Sequence, residues 1–495
     1  MNIGKVLLAC ALCVAMTPVS AKEGDFNYES FKYSLCTGNG GYSDDMKKTI
    51  LEVARSGNKL KDDCVSESMF AVIVRRVSSD PDFLGQLMAE GLDADYGGKR
   101  RISARMNAMA SRTVENVKPL LTGNIDWSQT NAKGETLLML AFANERNPDM
   151  AKFLLQQNIP AQTVNARNAE GRSVLEMIAR RQLDVKEDVI QLLAQRKADF
   201  NQLSKEGRPL IQELTLRNGR FSLNEKLFKL FVANGADVNK PGSSGETLLH
   251  FMSHYDFSYQ DFEKVLECGP DINLRDNHGN TPLLAMHANL TEIAGNVSRN
   301  KVTRKLLEMG ADVNAVNKEG VSALMAALMT GAEKGEFHNV VEDLLKAGAK
   351  TDVISPQGHS VLYYAAIGGM HSTAARLLLE TKPDLDRRDK ATGSTALLLA
   401  ILAGNRSFAE DLIRAGANVN LADSQGRTPL MAASFVTADS RLAKALIKAG
   451  ADPKATDKKG RSALDHLQES PLAEDESNQE QIDRLREYLQ KEMNQ

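Results

Sequence analysis

The apolar residues of this chain recur in helical pairs that end on a glycine. Val340, Val341, Leu344 and Leu345 precede Gly348 at a spacing that lines one face of a helix, and Leu154-Leu155, Val265-Leu266, Leu306-Leu307, Leu378-Leu379 and Leu446-Ile447 repeat the arrangement. Gly235, Gly310, Gly348, Gly416 and Gly450 follow such helices, where a left-handed residue closes the last turn. A polar stretch, as at Ala236 to Asn239 and Ala311 to Asn314, then carries the chain outward. A second set of glycines, at 134, 171, 207, 245, 279, 320, 358, 393, 426 and 460, opens another pattern, and nine of the ten run into Thr or Ser two residues later. Their gaps are 33 to 41 residues, close to the period of about 33 of a hairpin followed by two helices. The pattern predicts a stack of similar repeats, each burying its core only against its neighbours.

One repeat shows the local logic. In Gly426-Arg427-Thr428-Pro429-Leu430-Met431-Ala432-Ala433, Thr428 caps the first helix with its hydroxyl, and Pro429 takes the first helical position, where a missing N–H costs nothing. Leu430 and Ala433 share a face, and the small Ala admits the neighbouring helix. The preceding repeat closes with Leu412-Ile413 before Gly416-Ala417-Asn418-Val419-Asn420. These residues resemble an ankyrin repeat, and the resemblance runs from roughly 134 to 468. It implies an all-α fold with β-hairpin fingers: an ankyrin-repeat solenoid of about ten clear repeats, one or two degenerate N-terminal repeats and a C-terminal capping helix. The family's Thr-Pro-Leu-His histidine stands at His250 alone, replaced by Met139, Glu176, Gln212, Leu284, Met325, Tyr363, Leu398, Met431 and Asp465, so weaker ties between neighbours are expected. Pro209 replaces the capping Thr or Ser, and Ile178, Leu214, Met252 and Met286 stand where Ala is usual, which predicts less regular packing in the middle.

The pattern fades upstream. Leu120-Leu121 before Asn124-Ile125-Asp126-Trp127 and Leu87-Met88 before Gly91-Leu92-Asp93-Ala94 read as the closes of degenerate repeats within 66–131, ahead of the main array at 132–468. Residues 469–495 read as an acidic linker and a closing helix with an Ile482, Leu485, Leu489 stripe. The first 21 residues form an export signal: Lys5, an apolar run from Val6 to Met16, and small residues at Val19-Ser20-Ala21. Export implies an oxidising compartment, where Cys36 and Cys64, in an N-terminal helical cap at 22–65, either bridge or remain two thiols. The segment is Gly-rich and short of core residues, which favours the bridge across a predicted helix from Asp44 to Ser56. Cys268, beside Gly269, reads as a small buried side chain.

Composition narrows the function. Charged residues make up 25% with both signs mixed, the net charge is −3 and aromatics are 5%, so neither a basic stripe nor an aromatic surface for nucleic acid is present. Arg75-Arg76 and Lys99-Arg100-Arg101 are short clusters that read as solvated faces. No phosphate-cradling loop, nucleophile elbow or zinc-binding Cys pair occurs, so no catalytic residue, cofactor or metal is assigned. His250 and His254 have metal-ligand spacing on a helix, but His250 occupies the family's ordinary structural position and no third ligand is evident. Met139, Met325 and Met431 read as core fillers.

The resemblance implies a protein partner bound through a long concave face of fingertips and first helices. Carried onto this chain, the tip candidates flank each marker glycine: Lys133, Glu135, Glu170, Arg172, Glu206, Arg208, Glu246, His278, Asn280, Lys318, Glu319, Gln357, His359, Gln425 and Arg427. Tyr363 and Tyr364 are deeper anchors or core, and the longer stretch between Leu290 and Asn300 is a second contact surface. Mixed charge at the tips favours a folded protein over a polyanion. The expected function is a non-enzymatic, monomeric interaction scaffold in the periplasm. Two alternatives within binding are an immunity protein that neutralises a toxin delivered there and a secreted host-directed protein. An enzyme within residues 22–115 is the alternative from another class.

Overall fold

The computed structural model describes residues 28–494, apart from 38–41, 57–59, 61–62, 65–66, 78, 98–101, 112, 145–146, 289–297, 331–336, 369–371, 437–439 and 475–477. The export segment, the basic cluster at 99–101 and most of the stretch from Leu290 to Asn300 lie outside the described residues. The chain divides into two compact units, 1–206 with 226–236, and 207–225 with 237–495.

In the second unit the first helices of successive repeats are Leu248–Met252, Pro282–Ala288, Ala323–Thr330, Val361–Ile367, Ala396–Leu402, Pro429–Val436 and Ala463–Gln468. A hydroxyl just before each accepts an N–H three residues on. Ser322 takes it from Met325, Ser360 from Tyr363 and Thr428 from Met431, each at 3.3 Å. Each bond satisfies one of the donors that a helix start leaves without a partner. The second helices include Tyr259–Leu266, Phe337–Lys346, Arg406–Arg414 and Ser440–Lys448. First helices pack on first helices and second on second. The core between them holds Val265, Leu306, Val340, Leu344, Leu378, Leu412 and Leu446, all fully buried, at roughly 1.5 to 3 kcal/mol of hydrophobic stabilisation apiece. Helix Gln479–Met493 closes this unit with Ile482, Leu485 and Leu489 buried.

Pro209 has no hydroxyl to offer. The helix after it, Leu210–Glu213, is a single turn, and an antiparallel pair, Leu216–Arg217 with Arg220–Phe221, follows. Ile178, Leu214, Met252 and Met286 are nevertheless buried, so the core absorbs their bulk.

The first unit keeps the same rhythm upstream of the first marker glycine, Gly134. Ser68 caps helix Met69–Val77 through the Ala71 N–H at 3.1 Å, and Ser103 caps Ala104–Ala108 through the Met106 N–H at 3.3 Å. Those two helices pack on each other, as Ala104–Ala108 does on Leu137–Ala143, which Thr136 caps. Further upstream lie Tyr28–Thr37 and Asp44–Arg55, the latter capped by Ser43 and ended by Ser56. A disulfide joins Cys36 to Cys64, 28 residues apart, with a Cα–Cα distance of 5.2 Å. Cys268 is half-exposed rather than buried, because it lies in the turn after helix Tyr259–Leu266, where its thiol faces the Lys264 carbonyl at 3.9 Å. No helix among the described residues is long and apolar enough to cross a membrane.

Replacing Cys36 and Cys64 together by Ser is expected to cost about 3 to 4 kcal/mol in the loop-entropy account of cross-links. Urea unfolding followed by circular dichroism checks it, and equal midpoints for the two forms would rule out a stabilising role for the bridge.

Candidate functional site

Most fingers begin three residues before the marker glycine, with a short polar side chain that holds the turn together. The Asn317 Oδ1 accepts the N–H of Glu319 at 3.1 Å and of Val321 at 2.9 Å. Asp276 does the same for His278 and Asn280, both at 2.8 Å, and Asp423 for Gln425 and Arg427, both at 2.9 Å. Asn131, Asn168 and Asp457 repeat the pattern. This carboxamide or carboxylate takes up N–H groups that a finger without a sheet leaves open. Isolated bridges supplement it, Val316 with Ser322 and Ile354 with Ser360.

Neighbouring fingers join through one backbone bond. In the first unit the Ala169 N–H donates to the Lys133 carbonyl at 2.8 Å. In the second unit Ser243 donates to Gly207, Asn277 to Ser244, Lys318 to His278, Lys390 to Gln357, Ser424 to Thr392 and Lys458 to Gln425, at 2.7 to 3.0 Å. In the second unit one position breaks the series. Pro356 stands where the donor toward Glu319 belongs, and proline has no N–H. The marker glycines have φ between +69° and +88°. A Cβ on Gly245 would lie 2.5 Å from the Asn277 Oδ1 and 2.6 Å from its backbone nitrogen, so both the left-handed turn and the next finger exclude a side chain.

At the other end of several fingers an asparagine ties the outward turn to the following repeat. Asn273 accepts from the Asp312 N–H at 2.8 Å and donates to the Gly310 carbonyl at 3.2 Å. Asn314 pairs likewise with Lys350 and Gly348, and Asn420 with Asp452 and Gly450. The histidine tie is partly replaced as well. His250 faces the Asn280 carbonyl at 2.9 Å through Nε2 and Thr247 through Nδ1, and Gln212 donates from its own amide to the Glu246 carbonyl at 2.8 Å. The expected weakening therefore does not extend to Gln212, whose carboxamide reaches the equivalent carbonyl of its own following finger. Glu176, fully buried at the equivalent place, lies between Arg167 at 3.4 Å and Arg180 at 3.0 Å. Met139, Met325 and Met431 are fully buried.

The tip candidates separate by phase. Lys133, Glu170, Glu206, His278, Lys318, Glu319, Gln357 and Gln425 precede the glycine and are exposed. Glu135, Arg172, Arg208, Glu246, Asn280, His359 and Arg427 follow it and are half-buried. The followers brace the finger. The Glu135 carboxylate accepts from Asn131 at 2.8 Å, Arg172 pairs with Glu170 at 2.8 Å, and Asn280 donates to Asp276 at 2.9 Å. Arg208 meets the buried Glu213 at 2.9 Å, and Arg427 grips the buried Asp423 at 2.9 Å. At Asp457 burial resists charge, yet hydrogen bonds from Arg461, Lys459 and His466 outweigh it and hold the carboxylate well below the usual range. Glu246 pairs with His254 at 2.7 Å. That hydrogen bond raises the His254 imidazole above its ordinary 6.5 and lowers the Glu246 carboxyl below its ordinary 4.5. Tyr364 is buried, and Tyr363 is half-buried beside it.

Residues 105–204, 290–389, 328–423 and 374–457, together more than half of the chain, match the family described as Ankyrin repeats (3 copies). The chain belongs to the ankyrin-repeat family. It is 27% identical to Rabankyrin-5 of Homo sapiens over 327 residues, which are 63% of this chain and 25% of that protein. It is 29% identical over 172 residues to Neurogenic locus notch homolog protein 1 of Homo sapiens, covering 34% of this chain and 6% of that one. With Phosphocholine transferase AnkX of Legionella pneumophila it shares 23% identity over 214 residues, 40% of this chain and 22% of that one. The chain thus spans a quarter or less of the length of these relatives. Ankyrin repeats form a protein–protein interaction domain, so the fingers described here are the elements of such a domain.

Gly245→Ala is expected to cost about 2 kcal/mol or more, since it adds a steric collision to the left-handed penalty, whereas Gly450→Ala meets open space and costs about 1 kcal/mol. Equal urea midpoints for the two variants would contradict the tight finger packing. His254 and Glu246 set a pH window. A raised His254 stabilises the fold below about pH 6.5, and its contribution fades as pH rises through the folded value. A lowered Glu246 contributes above about pH 4.5 and loses that as pH falls through its folded value. The His254 midpoint in a nuclear magnetic resonance titration should lie above 6.5 and return toward it in Glu246→Gln, and a midpoint unmoved by that change speaks against the pair.

Proposed function

We propose that this ankyrin-repeat chain is a non-enzymatic scaffold that acts in the periplasm and binds a folded protein through its exposed fingertips and the adjoining first helices. The observation that carries the reading is the division of labour within the fingers. Residues after the glycine are spent on holding the loop, and those before it stand in solvent on backbone fixed by the neighbouring finger. A row of side chains projected from rigid loops suits recognition of a preformed surface, because little ordering entropy is lost on binding. Export is supported by the basic start, apolar run and small residues within 1–21, and the Cys36–Cys64 disulfide accords with an oxidising compartment. The transferase activity in the name of the Legionella relative describes that protein, of which the matched stretch is 22%.

The bracing roles decide how to test it. Reversing Arg208 or Arg427 would strand Glu213 or Asp423, so loss of binding there would report on the fold. Affinity capture from the cell's own envelope fraction should instead use Lys133→Glu, Lys318→Glu and Gln425→Lys, which change exposed tips alone. A specific partner retained by the parent chain and lost, about tenfold or more, by the triple variant with unchanged thermal stability is the expected result. Undiminished retention of that partner would show that it docks elsewhere.

A further inference from the structure

The hairpin that follows the shortened helix of the Pro209 repeat carries chemistry that binding does not use. Its strands pair Leu216 with Phe221 and Arg217 with Arg220, so successive side chains point to opposite faces. Phe221 packs on Phe257 of the next repeat, with ring centroids 5.7 Å apart, which holds one face of the hairpin to the fold. The two arginines share the other face, exposed and without an ion pair among the described residues. Like charges set directly opposite each other are destabilising. No carboxylate lies from 214 to 224, and the turn that carries Phe257 adds Asp256 alone.

Asn218-Gly219 makes the turn between the strands. Both residues have left-handed φ, 52° and 75°, as a two-residue hairpin requires. Asn218 is exposed, and neither its carboxamide nor the Gly219 N–H has a hydrogen-bond partner among the described residues. A Cβ on Gly219 would meet nothing within 4 Å, so the space around this nitrogen is open as well. The same dipeptide occurs at 39–40, outside the described residues, and at Asn234-Gly235. At the latter both groups are occupied. The Asn234 carboxamide donates to the Leu230 carbonyl at 2.8 Å, the Gly235 N–H donates to the Val232 carbonyl at 3.1 Å, and Asn201 holds the Gly235 carbonyl at 2.8 Å. Folding thus separates two sites that the residue order makes identical.

We propose that Asn218 is a site of self-modification, in which the Gly219 backbone nitrogen attacks the Asn218 carboxamide. Hydroxide takes the N–H proton, the bond from nitrogen to the Asn218 Cγ forms, and the Cγ–Nδ2 bond breaks. Ammonia leaves and a five-membered succinimide ring closes. Water then adds to either ring carbonyl, which leaves aspartate or iso-aspartate at 218, and nothing beyond water is consumed. The two guanidiniums favour the step, because negative charge grows on the nitrogen as its proton departs and on the carboxamide oxygen during attack. The product sets a carboxylate between Arg217 and Arg220 and relieves their repulsion. In the iso-aspartate form the main chain gains a carbon within the turn whose length fixes the strand register. The exposed tip therefore changes from two positive charges to one as the chain ages.

The test incubates the full chain at mildly alkaline pH, once folded and once in urea, and follows conversion of each asparagine by peptide mapping and mass spectrometry. In the folded chain Asn218 should convert about tenfold or more ahead of Asn234, whose backbone and side-chain bonds must open before it reacts. In urea the two should convert at similar rates, since both then precede a free glycine nitrogen. Asn218→Gln, whose attack needs a six-membered ring, should remain unconverted at 218 over the same period. Conversion of Asn234 level with or ahead of Asn218 in the folded chain would overturn the proposal. So would a folded chain that keeps Asn218 intact while the chain in urea loses it.

Discussion

A finger is a run of backbone that neither a helix nor a sheet absorbs, and everything else in the repeat is arranged around that fact. Its open N–H groups go to the short polar side chain three residues before the glycine, as at Asn317 and Asp423. The glycine then turns the chain in a conformation that side chains avoid, and its flank meets the next finger closely enough for one backbone bond. Helix packing alone would leave these loops free to wander. With the bonds in place, the loops become part of the fold, and a cap, a glycine and an asparagine recur because each closes a separate polar debt of the backbone.

Much of this was legible along the chain, and the reason is local. Caps, left-handed glycines and paired apolar residues act within one turn or one helix, so their spacing survives in the residue order. Thr428, Gly426 and Leu446 take the roles their neighbours in the sequence imply. The polar residue three before the glycine escaped notice because Asn, Asp and Ser all occupy it, and each is an ordinary turn residue. Ser68 and Ser103 cap helices with no glycine to mark them. Long-range partners were illegible for a different reason. Nothing beside Gln212 announces that its amide reaches the Glu246 carbonyl 34 residues away, and nothing beside Cys268 shows that its turn leaves it half-exposed.

The candidate contacts divide on the same principle. Sequence alone groups Lys318 with Arg427, as polar residues beside a glycine. In the folded chain they differ: one projects, and the other is occupied by a buried carboxylate that needs it. A charged residue at a turn therefore informs about binding only once its own structural obligations are known. Tyr363 makes the complementary case, since a core position has been diverted to the surface and a finger histidine covers the ring from one side.

Pro356 leaves one junction of the second unit without its backbone bond. Besides the Asn314 tie to Lys350 and Gly348, what remains there is side-chain packing between helices Ala323–Thr330 and Val361–Ile367, with Gly368 so close to the Leu328 carbonyl that a methyl group would not fit. Those forces act at the helical side and vanish within an ångström or two of separation. The consequence is a seam held by its helices and its outward turns, whose two fingers press together without the clip that fastens the others of this unit.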